Sequence, residues 1–297
     1  MWKKILVPLD GSDLAELALP YAIELANAFK SELILLYVSE PAESHYRRMH
    51  QLYIEEVAQR VKEQTRRVSP VLVTGKPADE IVSYAEKSDI GLVIITSHGR
   101  SGIMSWATGS IASKLLQGID LPVLLVRAAK PKRKAQGKAL LNRILLPLDG
   151  SEAGEAAVSY VGELMSRLES EVILFGVVSS GQHIRSVGGL DYINYPEEQL
   201  AVFKKEAEDY LNQVYRRLKR RKGSVKVTLE VGVGDVGQEI IEFAEEKRVS
   251  LIAISSHGHS GIERWVFGSI ANKVVQASKT PVLLVKAVGK SPGQFAL

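Results

Sequence analysis

Two stretches of this sequence have the residue types and spacing of an anion site. Ile94 to Ser110 reads Ile-Ile-Thr-Ser-His-Gly-Arg-Ser-Gly-Ile-Met-Ser-Trp-Ala-Thr-Gly-Ser, and Ala253 to Ser269 reads Ala-Ile-Ser-Ser-His-Gly-His-Ser-Gly-Ile-Glu-Arg-Trp-Val-Phe-Gly-Ser. In each, nine residues separate two glycines, Gly99 from Gly109 and Gly258 from Gly268. A β-branched run enters the loop and an amphipathic run leaves it, the pattern of a strand, a loop and a helix. Glycine lets backbone N–H groups approach a ligand closely. A Gly-Ser helix start leaves unpaired N–H groups backed by the positive end of the helix dipole. That arrangement suits phosphate. A turn glycine and a capping serine would read the same way in a single copy, but the same spacing occurs twice.

A second pair of candidates is Asp10 in Asp-Gly-Ser12 and Asp149 in Asp-Gly-Ser151, each closing an apolar strand. Ligands of open α/β sheets sit at such strand ends, and a carboxylate there can accept hydrogen bonds from a ribose or a base edge. The competing role is local: the carboxylate accepts within its own turn while the serine caps the next helix.

The elements that position these residues alternate. In the first half, Lys4 to Asp10, Glu32 to Val38, Pro70 to Thr74, Gly91 to Ile95 and Pro122 to Val126 read as strands. Helical spacing lies between them: from Leu14 to Leu25, along a long helix to about Arg67, from about Ala78 to Lys87, and after Ser110. The nearly continuous apolar strands are those of a parallel sheet covered on both faces. The pattern restarts at Asn142. Asp10 to Asp149 and Val38 to Val177 are both offset by 139, whereas Gly75 to Gly234 and Gly99 to Gly258 are offset by 159. About 20 extra residues therefore fall between Val177 and Gly234. They follow the second strand of their copy at its ligand-facing edge, which suggests either a flap over the second site or an extension of the helix that starts near Pro196.

The expected architecture is two repeated, open, mainly parallel five-stranded α/β domains, 1–128 and 141–288, joined by a basic linker, 129–140, and paired as an intramolecular pseudo-dimer. The linker holds Lys130, Lys132, Arg133, Lys134 and Lys138, five cations against a whole-chain net charge of +4. A solvated linker explains them, so nucleic acid is not expected as a partner. No apolar run approaches the length of a membrane span, the first strand does not read as a signal peptide, and the chain has no cysteine. A cytoplasmic location fits this pattern.

These residues resemble the universal stress protein family in its tandem, two-domain form, and the resemblance covers nearly all of both halves. It rests on the family's ATP-binding pattern Gly-x2-Gly-x9-Gly-Ser. Here the pattern is Thr96-Ser-His98-Gly99, nine residues, Gly109-Ser110, and again Ser255-Ser-His257-Gly258, nine residues, Gly268-Ser269. Thr96 and Ser255 replace its first glycine, and either narrow the approach to the phosphates or donate a hydroxyl to them. The resemblance implies a Rossmann-like fold in which Asp10, Val38 and Ile95, with Pro8, hold adenine and ribose. Gly99, Gly109, Ser110 and Ile111 would hold the phosphates, beside Thr96 and His98. The matching set is Pro147, Asp149, Val177, Ile254, Ser255, His257, Gly258, Gly268, Ser269 and Ile270.

The implied function is a stress-response regulator that binds ATP, ADP or AMP, with magnesium carried on the nucleotide, and that has no catalytic residue or protein-held metal. The implied partners are an unidentified protein and a second copy of the tandem chain. There is no G-x-x-x-x-G-K-[ST] lysine to serve the β- and γ-phosphates. A slow ATPase and a nucleotide-free interaction module are the alternatives. Gly232-Val-Gly234-Asp-Val-Gly237 fits a dinucleotide fingerprint only superficially, because no acid ends the following strand.

Overall fold

The computed structural model describes residues 1–97, 110–127, 140–186, 189–221, 226–256 and 268–287. The chain divides into two compact units, the first built on Met1–Asn142 together with Lys279–Leu284, the second on most of the chain from Arg143 onward.

In the first unit the order is β1 (Lys4–Leu9), α1 (Asp13–Glu16), α2 (Leu19–Phe29), β2 (Glu32–Ser39), α3 (Arg47–Lys62), β3 (Val68–Thr74), α4 (Pro77–Lys87), β4 (Leu92–Thr96), α5 (Ser110–Gly118) and β5 (Val123–Val126). The five strands lie parallel in the order β3-β2-β1-β4-β5. Ile5 to Leu9 of β1 and every residue of β4 and β5 are buried. Such continuous burial requires helices on both faces, which explains why these strands show no alternation in sequence. The segment from Lys279 brings β12 (Val282–Val285) antiparallel to β5, with Val282 opposite Leu125. The sheet is therefore mainly parallel, with one antiparallel pair.

The second unit repeats the plan with β6 (Arg143–Pro147), α6 (Val158–Leu168), β7 (Glu171–Val178), β8 (Gly181–Ser186), β9 (Gly189–Asn194), α7 (Glu197–Arg221), β10 (Val227–Val233), α8 (Val236–Glu246), β11 (Leu251–Ser255) and α9 (Ser269–Ala277). Its parallel strands run β10-β7-β6-β11. In both units the first strand has the second on one side and the fourth on the other. The chain thus reverses its direction of travel across the sheet there, and the diverging connections leave a crevice at the carboxyl edge.

Two local features differ from the sequence reading, and a third gives the insertion its form. The helix expected from Leu14 to Leu25 is broken into α1 and α2, with Pro20 in the first turn of the second. Proline has no N–H to bond the Glu16 carbonyl, and its ring crowds that position. The long helix of the first unit stops at Lys62 instead of running to about Arg67. Finally, the extra residues of the second copy form the antiparallel hairpin β8–β9, in which Gly181 pairs with Asn194 and the Tyr195 N–H donates to the Ser180 carbonyl at 2.9 Å. The helix after the hairpin is also longer, 25 residues in α7 against 16 in α3. The insertion is thus both a hairpin and a helix extension.

The core lies where α3 covers β2 and β3, through Ile54, Val57, Ala58 and Val61. Leu35, in the middle of β2, is fully buried. Leu35→Ala should lower the unfolding free energy by about 2 to 5 kcal/mol, the usual cost of a leucine-sized core truncation. Urea denaturation would measure it, and a loss below about 1 kcal/mol would show that this strand is not packed on both faces.

Candidate functional site

The turn after the first strand is built identically in both units. Asp10 Oδ1 accepts from the Ser12 N–H at 3.0 Å and from Ser12 Oγ at 2.6 Å, and Ser12 Oγ accepts from the Ala15 N–H at 3.1 Å. Asp149 Oδ1 accepts from the Ser151 N–H at 3.0 Å and from Ser151 Oγ at 2.7 Å, and Ser151 Oγ accepts from the Gly154 N–H at 2.9 Å. Between aspartate and serine, Gly11 and Gly150 have φ of 83° and 82°, a left-handed turn that suits glycine. The local role is the one observed: the carboxylate closes its own turn, and it does so at the carboxyl edge of the sheet.

In the second unit this edge encloses a cavity of about 330 Å³, near the lower end of the about 300 to 1,000 Å³ typical of ligand pockets. Pro147, Leu148 and Asp149 line it from the first strand, Phe175 and Val177 from the second, and Ile254, Ser255 and Ser256 from the end of β11. Gly268, Ser269, Ile270 and Ala271 line it at the start of α9, and Val236 and Ile240 from α8. The walls are mostly apolar, while Asp149 and the amino end of α9 supply acceptor and donor groups on different sides. Gly268 is the residue before α9, and its N–H donates to the Ser256 carbonyl at 2.9 Å, which ties together the two ends of the glycine-rich loop. The Ser255 hydroxyl donates to the Ala153 carbonyl at 2.6 Å. Its single proton is therefore committed to the turn before α6.

Eight residues singled out in the second copy, Pro147, Asp149, Val177, Ile254, Ser255, Gly268, Ser269 and Ile270, line this one cavity. His257 and Gly258 lie outside the described residues, as do His98, Gly99 and Gly109 of the first copy. In the first unit, Pro8 and Ile95 are buried, Val38 and Asp10 are half-buried, and Thr96 is buried at the last position of β4. Ser110 opens α5, with Ile111 next to it. The N–H of Ser97, one residue beyond β4, donates to the Val126 carbonyl at 2.9 Å, just as the Ser256 N–H donates to the Val285 carbonyl at 2.8 Å in the second unit. A cavity of about 280 Å³ in the first unit lies elsewhere, over Leu19, Pro20, Ile23 and Val61, and includes no residue of the strand ends.

The universal stress protein family profile matches residues 1–127 and 141–286. The chain belongs to the universal stress protein family. It is 30% identical over 148 residues to a universal stress protein of Methanocaldococcus jannaschii, an alignment that covers 45% of this chain and 86% of the relative. Over 298 residues it is 22% identical to a universal stress protein of Mycobacterium tuberculosis, covering 95% of this chain and 96% of the relative. The solved structure of a universal stress protein from Archaeoglobus fulgidus superposes with a TM-score of 0.68 at 19% identity, covering 97% of this chain and all of the other. Both halves of the sequence are thus Usp domains of duplicated α/β fold.

Sequence reasoning missed part of the cavity wall of this Usp domain. Phe175, Val236 and Ile240 look like core in sequence, and Phe175 is in fact buried and stacked on Phe243 with centroids 4.3 Å apart. Gly154 was missed as well, though a side chain there would run into the Asp149 carboxylate. Its counterpart, at the same 139-residue offset, is Ala15. Outside the cavity lining, Arg127 follows β5 and Lys286 follows β12, at the ends of strands whose last carbonyls bond Ser97 and Ser256. Burial pushes the Arg127 guanidinium down to about 10, still cationic at neutral pH.

A further carboxylate stands beside the turn. Burial pushes Glu155 up, but hydrogen bonds from Arg217 and Tyr210 and the Arg217 charge outweigh it and hold the carboxyl below its ordinary 4.5. A depressed carboxyl contributes stability that is fully present above its unfolded value and lost as pH falls through the folded one. The stability difference between the wild type and Glu155→Gln should therefore be largest above about pH 5 and shrink toward about pH 3. Thermal melts of both proteins across that range would read it, and parallel pH curves would show that the ion pair contributes nothing.

Proposed function

We propose that this universal stress protein binds adenine nucleotide at the carboxyl edge of each unit and works as a stress-response regulator without efficient turnover. The observation that supports this reading best is the cavity of the second unit, where an acceptor carboxylate, apolar walls and a helix amino end face one space. An adenine ring suits the apolar side formed by Leu148, Val177, Ile254 and Ile240. Asp149 would accept from the ribose hydroxyls, and the N–H groups at Ser269 and Ile270 would meet the phosphates at the positive end of α9. By the same offsets, Asp10, Val38, Ile95, Ser110 and Ile111 would do this in the first unit. Any magnesium would arrive on the phosphates. The described residues hold no cluster of three or more metal-ligating side chains, and none of their helices is long and apolar enough to cross a membrane.

On this reading the domains extend over 1–128 and 141–288, the chain works in the cytoplasm, and the tandem chain can pair with a second copy. The nucleotide acts as a signal that a protein partner reads. Calorimetric titration with ATP should give a stoichiometry of about two per chain. Gly268→Val, which places a β-branched side chain where the phosphates would meet α9, should weaken the second site at least about tenfold, or 1.4 kcal/mol, and leave the first unchanged. An absence of heat, together with no nucleotide released on denaturing the purified protein, would replace this reading with the nucleotide-free interaction module.

The reading assigns no catalytic base. Asp149 Oδ1 already accepts two hydrogen bonds in its own turn, and Asp10 Oδ1 likewise. In a single-turnover assay with magnesium and ATP, hydrolysis should stay far below about 1 per second, the low end of ordinary enzyme turnover. Turnover in the enzyme range would overturn the regulatory reading.

A further inference from the structure

Each unit repeats a second constellation, which neither the glycine loops nor the strand-end aspartates predict. In the first unit the long outer helix α3 sends two side chains to one glutamate at the end of α1. Tyr53 Oη donates to Glu16 Oε1 at 3.0 Å, and Arg60 Nη2 donates to Glu16 Oε2 at 2.9 Å. In the second unit, Tyr210 Oη donates to Glu155 Oε1 at 3.0 Å. Arg217 there donates through Nη1 to Oε2 at 2.8 Å and through Nη2 to Oε1 at 2.6 Å. Tyrosine and arginine are seven residues apart in both helices, which places them on one face two turns apart.

The location of the glutamate gives this clasp its meaning. Glu16 directly follows Ala15, whose N–H is held by Ser12 Oγ, and Ser12 holds Asp10. Glu155 directly follows Gly154, whose N–H is held by Ser151 Oγ, and Ser151 holds Asp149. A path of hydrogen bonds, joined by the backbone between the glutamate and the residue before it, therefore runs from the outer helix to the strand-end carboxylate, and it does so twice. The two tyrosines also feel those carboxylates. Their hydroxyls are pushed well above the ordinary range, first by burial, then by the clasp glutamate, and to a smaller extent by Asp10 and Asp149 respectively.

Stability alone is a weak reason for such an arrangement. The Arg60 and Arg217 side chains are 54% and 51% exposed, and ion pairs that open to solvent contribute at most about 1 kcal/mol. Both helices are already fixed by buried residues, Ile54 and Val57 in α3 and Leu211 and Val214 in α7. What those contacts do not fix is the turn itself, which follows a left-handed glycine and precedes a helix of four residues in one unit and a short 3₁₀ turn in the other. Binding groups work best when a surrounding layer of hydrogen bonds holds them within a fraction of an ångström of the productive geometry.

We infer that the Tyr53–Glu16–Arg60 and Tyr210–Glu155–Arg217 clasps are positioning devices for the site carboxylates Asp10 and Asp149, so that nucleotide affinity in each unit depends on that unit's own clasp. This rests on the nucleotide reading proposed above. The clasp residues themselves touch no ligand on that reading.

The test uses the full chain and removes one hydroxyl at a time, with Tyr53→Phe and Tyr210→Phe, and Arg60→Gln and Arg217→Gln as variants that leave the ring packing alone. Two measurements are made on each. Amide hydrogen exchange on the nucleotide-free protein should be at least about threefold faster over residues 11–16 in Tyr53→Phe, and over 150–155 in Tyr210→Phe, with the rest of the unit unchanged. ATP titration should then show about fivefold weaker binding at the site of the altered unit and unaltered binding at the other. Unchanged exchange in the turn overturns the clasp whether or not nucleotide binds. Exchange that rises uniformly across the unit, with affinity intact, identifies a plain brace and overturns it as well. A wild-type protein that takes up no ATP overturns the nucleotide reading instead, and faster exchange confined to the turn would still uphold the clasp's hold on the aspartate.

Discussion

The site edge of each unit depends on a small hydrogen-bonded turn at the carboxyl end of its first strand. One aspartate oxygen accepts from a serine N–H and from the same serine's hydroxyl, whose oxygen then takes the amide of the next helical turn. Hydrogen bonds to a charged acceptor contribute about 1.5 to 3 kcal/mol each, little beside the burial of a whole strand. The turn can therefore be set only because β1 and β6 are already held in place, buried at every residue but the first between the second and fourth strands. Rigid strands deliver the aspartate to the crevice, and local polar bonds then fix its orientation. Reversed, the order would fail, because a turn of this kind could not hold a strand in place.

How much of this was legible in the sequence depended on the range of the interaction. The strands were plain because a sheet covered on both faces demands unbroken apolar runs, and Leu33 to Leu36 or Leu251 to Ile254 can be little else. Asp10 and Asp149 stood out because an acid that ends such a run needs a reason, and the repeat at 139 supplied a second instance. Phe175, Val236 and Ile240 were not legible, because an apolar side chain that lines a cavity and one that fills a core have the same chemistry. The clasp was hidden for a different reason. Glu16 and Tyr53 are 37 residues apart and Glu155 and Tyr210 are 55 apart, so no single repeat offset relates the two pairs. The β8–β9 hairpin accounts for much of that difference: most of the extra residues precede the matching part of the long helix, and only two follow it.

The break between α1 and α2 shows the converse, a signal that the sequence carries but that helical periodicity conceals. Leu14, Leu17, Ala18, Tyr21 and Leu25 have the spacing of one helix, and Pro20 falls within it. The missing N–H won, as the physics of an interior proline says it must. That break has a consequence for the site, since it leaves Glu16 at the end of a four-residue helix, where its carboxylate can face α3 instead of pointing along a continuous helix surface. In the second unit no proline stands there, and a 3₁₀ turn over Gly154–Ala157 brings Glu155 to the same partners. Two different backbone solutions thus reach one side-chain arrangement.

The layer between the second strand and the long helix has not been held in the same way. In the first unit it contains Tyr37, stacked on His50 with centroids 4.5 Å apart, and His50 Nδ1 lies 3.0 Å from Ser39 Oγ. The matching positions of the second unit are Gly176, Ala207 and Val178, and a Cβ at Gly176 would meet Ala207 and Leu211 at ordinary contact distance. A bulky polar cluster in one unit is replaced by small apolar residues in the other, and each is a self-consistent way to fill the space beneath a helix. Substitutions at the helix starts differ too: Lys273 pairs with Asp235 at 2.7 Å in the second unit, whereas the first has lysine at both positions, Lys114 and Lys76. Against these exchanges, the aspartate–serine bonds and the tyrosine–glutamate–arginine clasp recur in both units. Packing admits many solutions of equal volume. A carboxylate that must face one point in a crevice admits few, and that difference in tolerance separates the site edge of these domains from the layers that support it.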